Sequence, residues 1–571
     1  MNIKIIKNNP SFRNKAIIFI IPAIAYFLIF AIYPMVENII LTFQRQTITG
    51  QYIYVGLSNY KELFYTPHFG KIIDNSLIYT FIVPFIDIIF AIPLATFLKR
   101  LKRNFLLPII LLPSFIPLVT GATMWILMLN PLYGIIHFVY HKDLFYTIWS
   151  IVLIDIWSSL PLATLIIYSG LKAIPKNIDE ANNIDNIKGM RKLITMDLPY
   201  IKYQILAAFI LMLIYGSFTF DPIYASLGVS TPFATLDLSY YSYELFFSND
   251  IGFSAVLMTI MTVVSTIIAV IFVKLTLSNK MHASKFRSIH WPNHELPRSI
   301  TIFFTVLYLM FFLLPFAWII IESFKTYNEI FALPPLIIPS KITLSNYMYS
   351  LTNGEPYFIT SIVVSILGSL VALFIGVPAA YAAARYRVGG IKFIGLVLFI
   401  YSIPLVILMI PDYVMLNYVH SINSWLGLII IYPVMVLPII IWMLYNFYTT
   451  FPKSYDEAAQ IDGMTMFKSF WKIILPLSRD GIFVAFLYAF IFAWGALIFP
   501  LAFTYSAYNM SILYPSGAQT LTIFIGGAIG HEATQYGILA ASSVISIIPA
   551  VIIAIFLRSK IDKVWRGGGI K

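Results

Sequence analysis

The stretch Pro175-Lys176-Asn177-Ile178-Asp179-Glu180-Ala181-Asn182-Asn183-Ile184-Asp185-Asn186, closing at Leu198-Pro199, returns 277 residues later. The second copy reads Pro452-Lys453-Ser454-Tyr455-Asp456-Glu457-Ala458-Ala459-Gln460-Ile461-Asp462-Gly463 and closes at Leu475-Pro476. Nine of 25 aligned positions are identical on one ungapped diagonal. A repeat with so long a period points to two similar units in one chain. Each copy is a polar island between apolar runs of membrane length.

Composition sets the solvent. Sixty per cent of the 571 residues are apolar, 11% are charged, and the mean hydropathy is +0.85. A soluble chain carries roughly a quarter charged residues, so this one is expected in lipid. Apolar runs long enough to cross about 30 Å of hydrocarbon fall near 16–36, 76–98, 105–129, 147–171, 203–222, 251–276, 299–321, 357–384, 393–414, 426–448, 480–503 and 533–557. All are expected as helices, because open strands leave backbone groups unpaired in lipid. The fold class is therefore all-α, with about twelve transmembrane helices in two homologous six-helix halves.

With both termini on the cytoplasmic side, all but six of the 37 Lys and Arg fall in cytoplasmic segments. The six are Arg45, Lys61, Lys71, Lys142, Lys325 and Lys341, and the asymmetry sets the expected orientation. The net charge of +12 is then inner-face charge against anionic lipid, and no nucleic acid is implied. Lys4, Lys7, Arg13 and Lys15 precede the first apolar run as in a signal peptide. That run is too long for one and lacks an obvious small-residue cleavage site, so it is expected to stay as a span. The chain has no Cys, which excludes disulfides and cysteine-ligated metals.

Residues 278–298 form a polar, basic, proline-containing linker between a first half (1–277, loop 175–199) and a second (299–571, loop 452–476). His290 and His294 in that linker stand at i, i+4, but Pro292 intervenes and no third ligand is near, so no metal site is expected.

Each loop reads as a small capped helix. Asn177 with Glu180, and Ser454 with Glu457, have the spacing of a capping box. Ala181 and Ala458-Ala459 give a smooth face. Gly463 suits a left-handed stop, and Asn186 at the matching place is the next-best residue for it.

These loops resemble the EAA motif of permease subunits in ATP-binding-cassette importers. The second copy has the pattern Glu-Ala-Ala, Asp-Gly and Leu-Pro in full, and the first departs at Asn182 and Asn186. Tyr54-Val55-Gly56-Leu57-Ser58-Asn59-Tyr60, Phe220-Asp221, Thr231-Pro232 and Ile251-Gly252-Phe253 resemble one permease of the maltose and glycerol-phosphate group. Glu329-Ile330-Phe331, Asn346-Tyr347, Arg385-Tyr386, Pro411, Trp494 and Pro500 resemble its partner subunit. The two look fused in one chain.

The resemblance implies a multi-pass permease of the cell membrane that takes a solute from an external solute-binding protein. Two cytoplasmic ATPase subunits would drive it, ATP and Mg being bound there and no cofactor here. Coupling contacts carried over are Glu180, Ala181, Asp185 and Asn186, and Glu457, Ala458, Ala459, Asp462 and Gly463. Expected cavity residues are Trp157, Ser158, Tyr215, Ser217, Phe218, Thr219 and Asp221, and Phe492 and Trp494. Gly495 and Ala496 replace the usual polar residues after that tryptophan. Aromatic faces with a few hydroxyls suit a sugar or oligosaccharide. No catalytic residue is expected. The only Gly-Lys pair is Gly70-Lys71, followed by Ile rather than Ser or Thr, so the chain has no phosphate-binding loop of its own.

Asp87 and Asp155 sit within apolar runs. They read either as a proton site or as helix–helix hydrogen-bonding groups. A proton-coupled secondary transporter is the alternative that would lean on them, but it does not explain the paired loops. A membrane-embedded enzyme finds no nucleophile–base pair or metal-ligand cluster in its favour.

Overall fold

The computed structural model describes residues 15–47, 50–101, 106–141, 144–145, 147–217, 219–227, 235–277, 297–508, 517–528 and 535–565. The linker with His290 and His294 lies outside the described residues, as do Phe218, Thr231 and Pro232.

Eight helices among the described residues are long and apolar enough to cross a membrane, and four bent helix pairs bring the number to twelve if each pair is one span. All twelve apolar runs are matched. Two continuous helices overrun them. Ser345–Tyr386 has 42 residues and Phe69–Leu101 has 33, about 63 and 50 Å at 1.5 Å per residue. Both continue beyond the hydrocarbon.

The bends fall at matching places in the two halves. The third spans, Leu106–Phe115 with Leu118–Leu129 and Lys392–Tyr401 with Leu405–Tyr418, turn by 95° and 89°. Each break is the dipeptide Ile-Pro followed by Leu, Ile116-Pro117-Leu118 and Ile403-Pro404-Leu405. Proline pushes the residue before it out of the helical region, and Ile116 is extended at ψ 154°. Pro117 and Pro404 then open the next helix at ψ 133° and 127°. The fifth spans bend by 75° each, at Ile201 and Ser478, two residues after the closing Leu-Pro. Just before each bend lies one turn of π-helix, Leu193–Asp197 and Phe470–Ile474. The repeat thus extends to irregularities of the backbone.

Away from the loop face, a second repeated device closes each half. Leu-Ser-Asn-Tyr occurs at Leu57–Tyr60 and Leu344–Tyr347. Asn59 is fully buried and its amide donates to the carbonyls of Thr42 and Gln44 at 3.0 and 2.8 Å. Asn346 donates likewise to Ser323 and Lys325, at 3.1 and 3.0 Å. Each asparagine packs on a glycine. A Cβ on Gly252 would lie 2.6 Å from the Asn59 amide nitrogen, and one on Gly537 2.7 Å from that of Asn346. Beside Asn59, Gln44–Gln46 and Tyr52–Tyr54 pair as a short antiparallel hairpin, the one departure from helix among the ordered elements described.

Each half lends its first span to the other. Tyr26, in the span Ile17–Leu41, donates its hydroxyl to the carbonyl of Ile430 at 2.7 Å. Arg298–Ser323 lies along the first half. Arg100 donates to Thr301 (3.2 Å), Tyr308 to the carbonyl of Phe90 (3.2 Å), and the rings of Phe97 and Phe304 stack 6.1 Å apart. One apolar core runs through both halves as a result.

The exchange of first spans is testable because the chain has no native cysteine. With Phe97→Cys and Phe304→Cys, a short bifunctional thiol reagent should hold the halves together on a denaturing gel after cleavage at a protease site placed within 278–296. Separation of the halves would mean that the first spans are not exchanged.

Candidate functional site

Two helices, Lys176–Ile184 and Ser454–Ile461, stand on the same face of the bundle. Neither begins as its spacing predicts. The carbonyls of Pro175 and Lys453 already accept helical bonds, from Ile178 N–H at 3.1 Å and from Asp456 and Glu457 N–H at 3.0 and 3.1 Å. Asn177 and Ser454 are therefore inside the helix, and Ser454 caps nothing. Asn177 accepts instead from its neighbour Ile178, at 3.0 Å. The capping-box expectation is thus corrected in both copies.

The stops form as expected. Asn186 and Gly463 both take the left-handed conformation, at φ 52° and 74°. Beyond them, Ile187 N–H returns to the carbonyl of Asn182 at 2.8 Å and Met464 N–H to that of Ala459 at 2.9 Å. These long return bonds pair carbonyls that the helix end leaves free.

The stops fix which residues face outward. Glu180, Ala181, Asp185 and Asn186 are exposed, as are Ala458, Asp462 and Gly463, while Glu457 is half-buried. Ala459 is fully buried and its counterpart Asn182 nearly so. Ala459 therefore packs inward, away from the outer surface expected for it. The departure from the family pattern at Asn182 likewise lies on the inner side.

Sequence reasoning passed over the most exposed apolar residues of the two helices. Ile184 and Ile461 are 86% and 85% exposed. The signal was an isoleucine at the same place in both copies of a polar island. An exposed side chain of this size has nothing to gain from water.

Asp456 is also unanticipated. It is buried, lies 3.0 Å from the Arg385 guanidinium, and accepts a hydrogen bond from Tyr381 at 2.5 Å. Arg385 donates further to the carbonyl of Pro452, at 3.0 Å. Burial pushes the Asp456 carboxyl above its ordinary range, against the Tyr381 hydrogen bond and the Arg385 charge. The second loop helix is thereby tied to the end of the 42-residue helix Ser345–Tyr386. Phe19 of the first span adds ring contacts to Phe467 and Phe470 at 4.6 and 5.0 Å.

A cavity of about 290 Å³ lies between the halves. The broken third spans contribute Ser114, Ile116, Tyr401 and Ile403 to its wall. Ser158, Tyr215, Thr219, Asp221, Phe492 and Gly495 line it, as do Asp155, Ser159 and Tyr488. The rings of Tyr488 and Phe492 stack 4.5 Å apart. Gly495 brings bare backbone against the first-half break, since a Cβ there would lie 3.3 Å from Pro117 Cα.

Three expected cavity residues lie elsewhere. Trp157 is fully buried, donates to the carbonyl of Phe312 at 3.2 Å and packs on Trp125 and Phe316. Trp494 donates to the carbonyl of Ser546 at 3.0 Å and stacks on Phe490. Ser217 spends its hydroxyl on the Leu213 carbonyl at 2.7 Å. Indole N–H groups that find a carbonyl are satisfied core groups.

Asp87 and Asp155 both hold helices together. Asp87 accepts from Ser159 at 2.6 Å, joining the second span to the fourth, and Asp155 accepts from Thr219 at 2.8 Å. Ser158 and Tyr215 share a further bond of 3.3 Å beside the cavity.

A family model described as binding-protein-dependent transport system inner membrane component matches residues 76–279 and again 372–566. The chain is 30% identical over 266 residues to the sulfoquinovosyl glycerol transport system permease protein of Agrobacterium fabrum, covering 45% of this chain and 89% of that one. It is 30% identical to the trehalose transport system permease protein of Mycobacterium tuberculosis, over 45% of this chain and 92% of that one. It is 31% identical to the trehalose/maltose transport system permease protein of Thermococcus litoralis, over 48% and 98%. Most of each relative thus corresponds to less than half of this chain.

The stops predict opposite responses to adding and to removing a side chain. Gly463→Ala forces a side chain into a left-handed backbone and should cost the second loop about 1 kcal/mol. It should appear as about fivefold faster amide exchange over 454–464. Asn186→Gly should leave the first loop unchanged or slower to exchange. Equal exchange in Gly463→Ala and the unaltered protein would remove the left-handed stop.

Proposed function

This chain belongs to the binding-protein-dependent transport system inner membrane components, with that domain present twice, and we propose that it forms both permease units of an ATP-driven sugar importer. Residues 1–277 and 299–571 are the units, and 278–298 joins them. The observation that carries the reading is the pair of matched loop helices, each ending in a left-handed stop and each showing a bare isoleucine on one face of the bundle.

In this reading the loop face is cytoplasmic, in keeping with the Lys and Arg distribution. Each helix enters a cleft of one ATPase subunit. Ile184 or Ile461 is the buried anchor, and Glu180, Asp185, Glu457 and Asp462 form the polar rim. ATP and Mg belong to those subunits. When the ATPase pair closes, it draws the loops together. Asp456 and Arg385 pass the displacement into the longest helix, and the third-span breaks let the cavity face one side and then the other. A solute-binding protein on the opposite face delivers the cargo.

Sugar as cargo is supported by the names of the relatives and by the cavity wall. Stacked Tyr488 and Phe492 offer a flat apolar face, and Ser158, Tyr215 and Thr219 offer hydroxyls, the pairing that a sugar ring requires. The proton-coupled alternative draws little from Asp87 and Asp155, which serve as helix-joining acceptors.

The test is co-purification of the tagged chain in mild detergent, with partners identified by mass spectrometry. An ATPase subunit should co-elute with the unaltered chain. Burying an isoleucine side chain contributes about 2 kcal/mol, so Ile184→Asp and Ile461→Asp should each weaken binding by about thirtyfold or more. The double variant should lose the ATPase while keeping its elution volume. An unaltered chain that recruits no ATPase, under conditions that preserve a known importer, would overturn the reading.

A further inference from the structure

We propose that the central cavity admits an uncharged sugar and rejects negatively charged ones, with the carboxylate of Asp221 as the determinant. This rests on the sugar reading of the same cavity. The charged side chains of the wall are Asp155 and Asp221, and no Lys, Arg or His is among its lining residues. The two carboxylates differ in how they are used. Asp155 is 1% exposed and one of its oxygens is taken by Thr219. Asp221 is half-buried and, among the described residues, has no hydrogen-bond or ion-pair partner. It lies where the chain turns from the fifth span into the short helix Asp221–Leu227.

When ionised, a free carboxylate in this wall of aromatic, aliphatic and hydroxyl groups only accepts hydrogen bonds. Vicinal hydroxyls of a sugar ring can donate to both its oxygens while the ring face lies on Phe492. A carboxylate, sulfonate or phosphate on the solute brings a second negative charge and finds no cation to pair with. At about 5 Å and an effective dielectric constant of about 20, that repulsion amounts to about two- to threehundredfold in affinity. The filter lies in the permease, behind any selection made by a solute-binding protein.

The experiment uses the full chain in lipid nanodiscs and two probes with the same ring, methyl glucoside and methyl glucuronide. They differ by a hydroxymethyl group against a carboxylate. Burial raises the Asp221 carboxyl to about 7, so affinities are read by saturation-transfer NMR at about pH 9, where it is ionised, with no binding protein present. The unaltered chain should favour the glucoside by at least about thirtyfold. Asp221→Asn should bring that ratio within about threefold, chiefly through a gain for the glucuronide. Asp221→Ser should do the same should the asparagine variant fail to fold, and retained co-purification of the ATPase subunit certifies the fold of either. A glucuronide that binds the unaltered chain as well as the glucoside does, or a ratio unmoved in a folded variant, overturns the filter and leaves the importer reading intact. Failure of both probes to bind a chain that still recruits its ATPase overturns the sugar assignment, and the filter with it.

Discussion

A backbone that leaves the helix inside hydrocarbon must find its hydrogen bonds within the protein. The two third spans break this way, at Pro117 and Pro404. They are tolerated because both are buried in protein, with the carbonyls of Pro117 and Pro404 accepting from Gly121 and Ile407 N–H at 3.1 Å each. Without surrounding protein such breaks would be untenable. With it, they open a space that a straight helix would fill. The cavity therefore depends on the exchange of first spans, which wraps each broken helix in protein from both halves.

How legible this was depends on the physics behind each feature. The spans were readable because lipid demands a long apolar run whatever the tertiary contacts. The stops at Asn186 and Gly463 were readable because left-handed backbone restricts residue type locally. The starts were misread at Asn177 and Ser454, since a capping pattern fits registers one or two residues apart and the pattern alone does not choose between them. Trp157 and Trp494 were misassigned for a different reason. Whether an indole faces a cavity or a carbonyl depends on a residue about 50 or 150 positions away, Ser546 or Phe312, and no local spacing carries that. The Ile-Pro-Leu and Leu-Ser-Asn-Tyr repeats were in the sequence and signal the bends and the closing asparagines. They sit on a different offset from the loops, so the diagonal that found the loops missed them.

The two loop helices are alike in backbone and differ at the buried place beneath them, Ala459 in one and Asn182 in the other. Beneath the second, Ala459 lets the helix sit close on the bundle, and Asp456 has a cation within an ion-pair distance. Beneath the first, the larger Asn182 occupies the buried place, with an amide nitrogen that finds no acceptor among the described residues. A buried donor left unpaired costs stability.

The bond from Tyr26 to the carbonyl of Ile430 spans 404 residues. During synthesis the first span enters the membrane long before its neighbour exists, and translation at about 5–20 residues per second leaves it waiting for tens of seconds. Two separate permeases would have to meet by diffusion, with any related subunit competing for the same exchanged helix. In a single chain the partner arrives tethered, at a high effective concentration. Joining the halves thus fixes a one-to-one ratio and shields the chain from mixed assembly with other permeases of the same membrane.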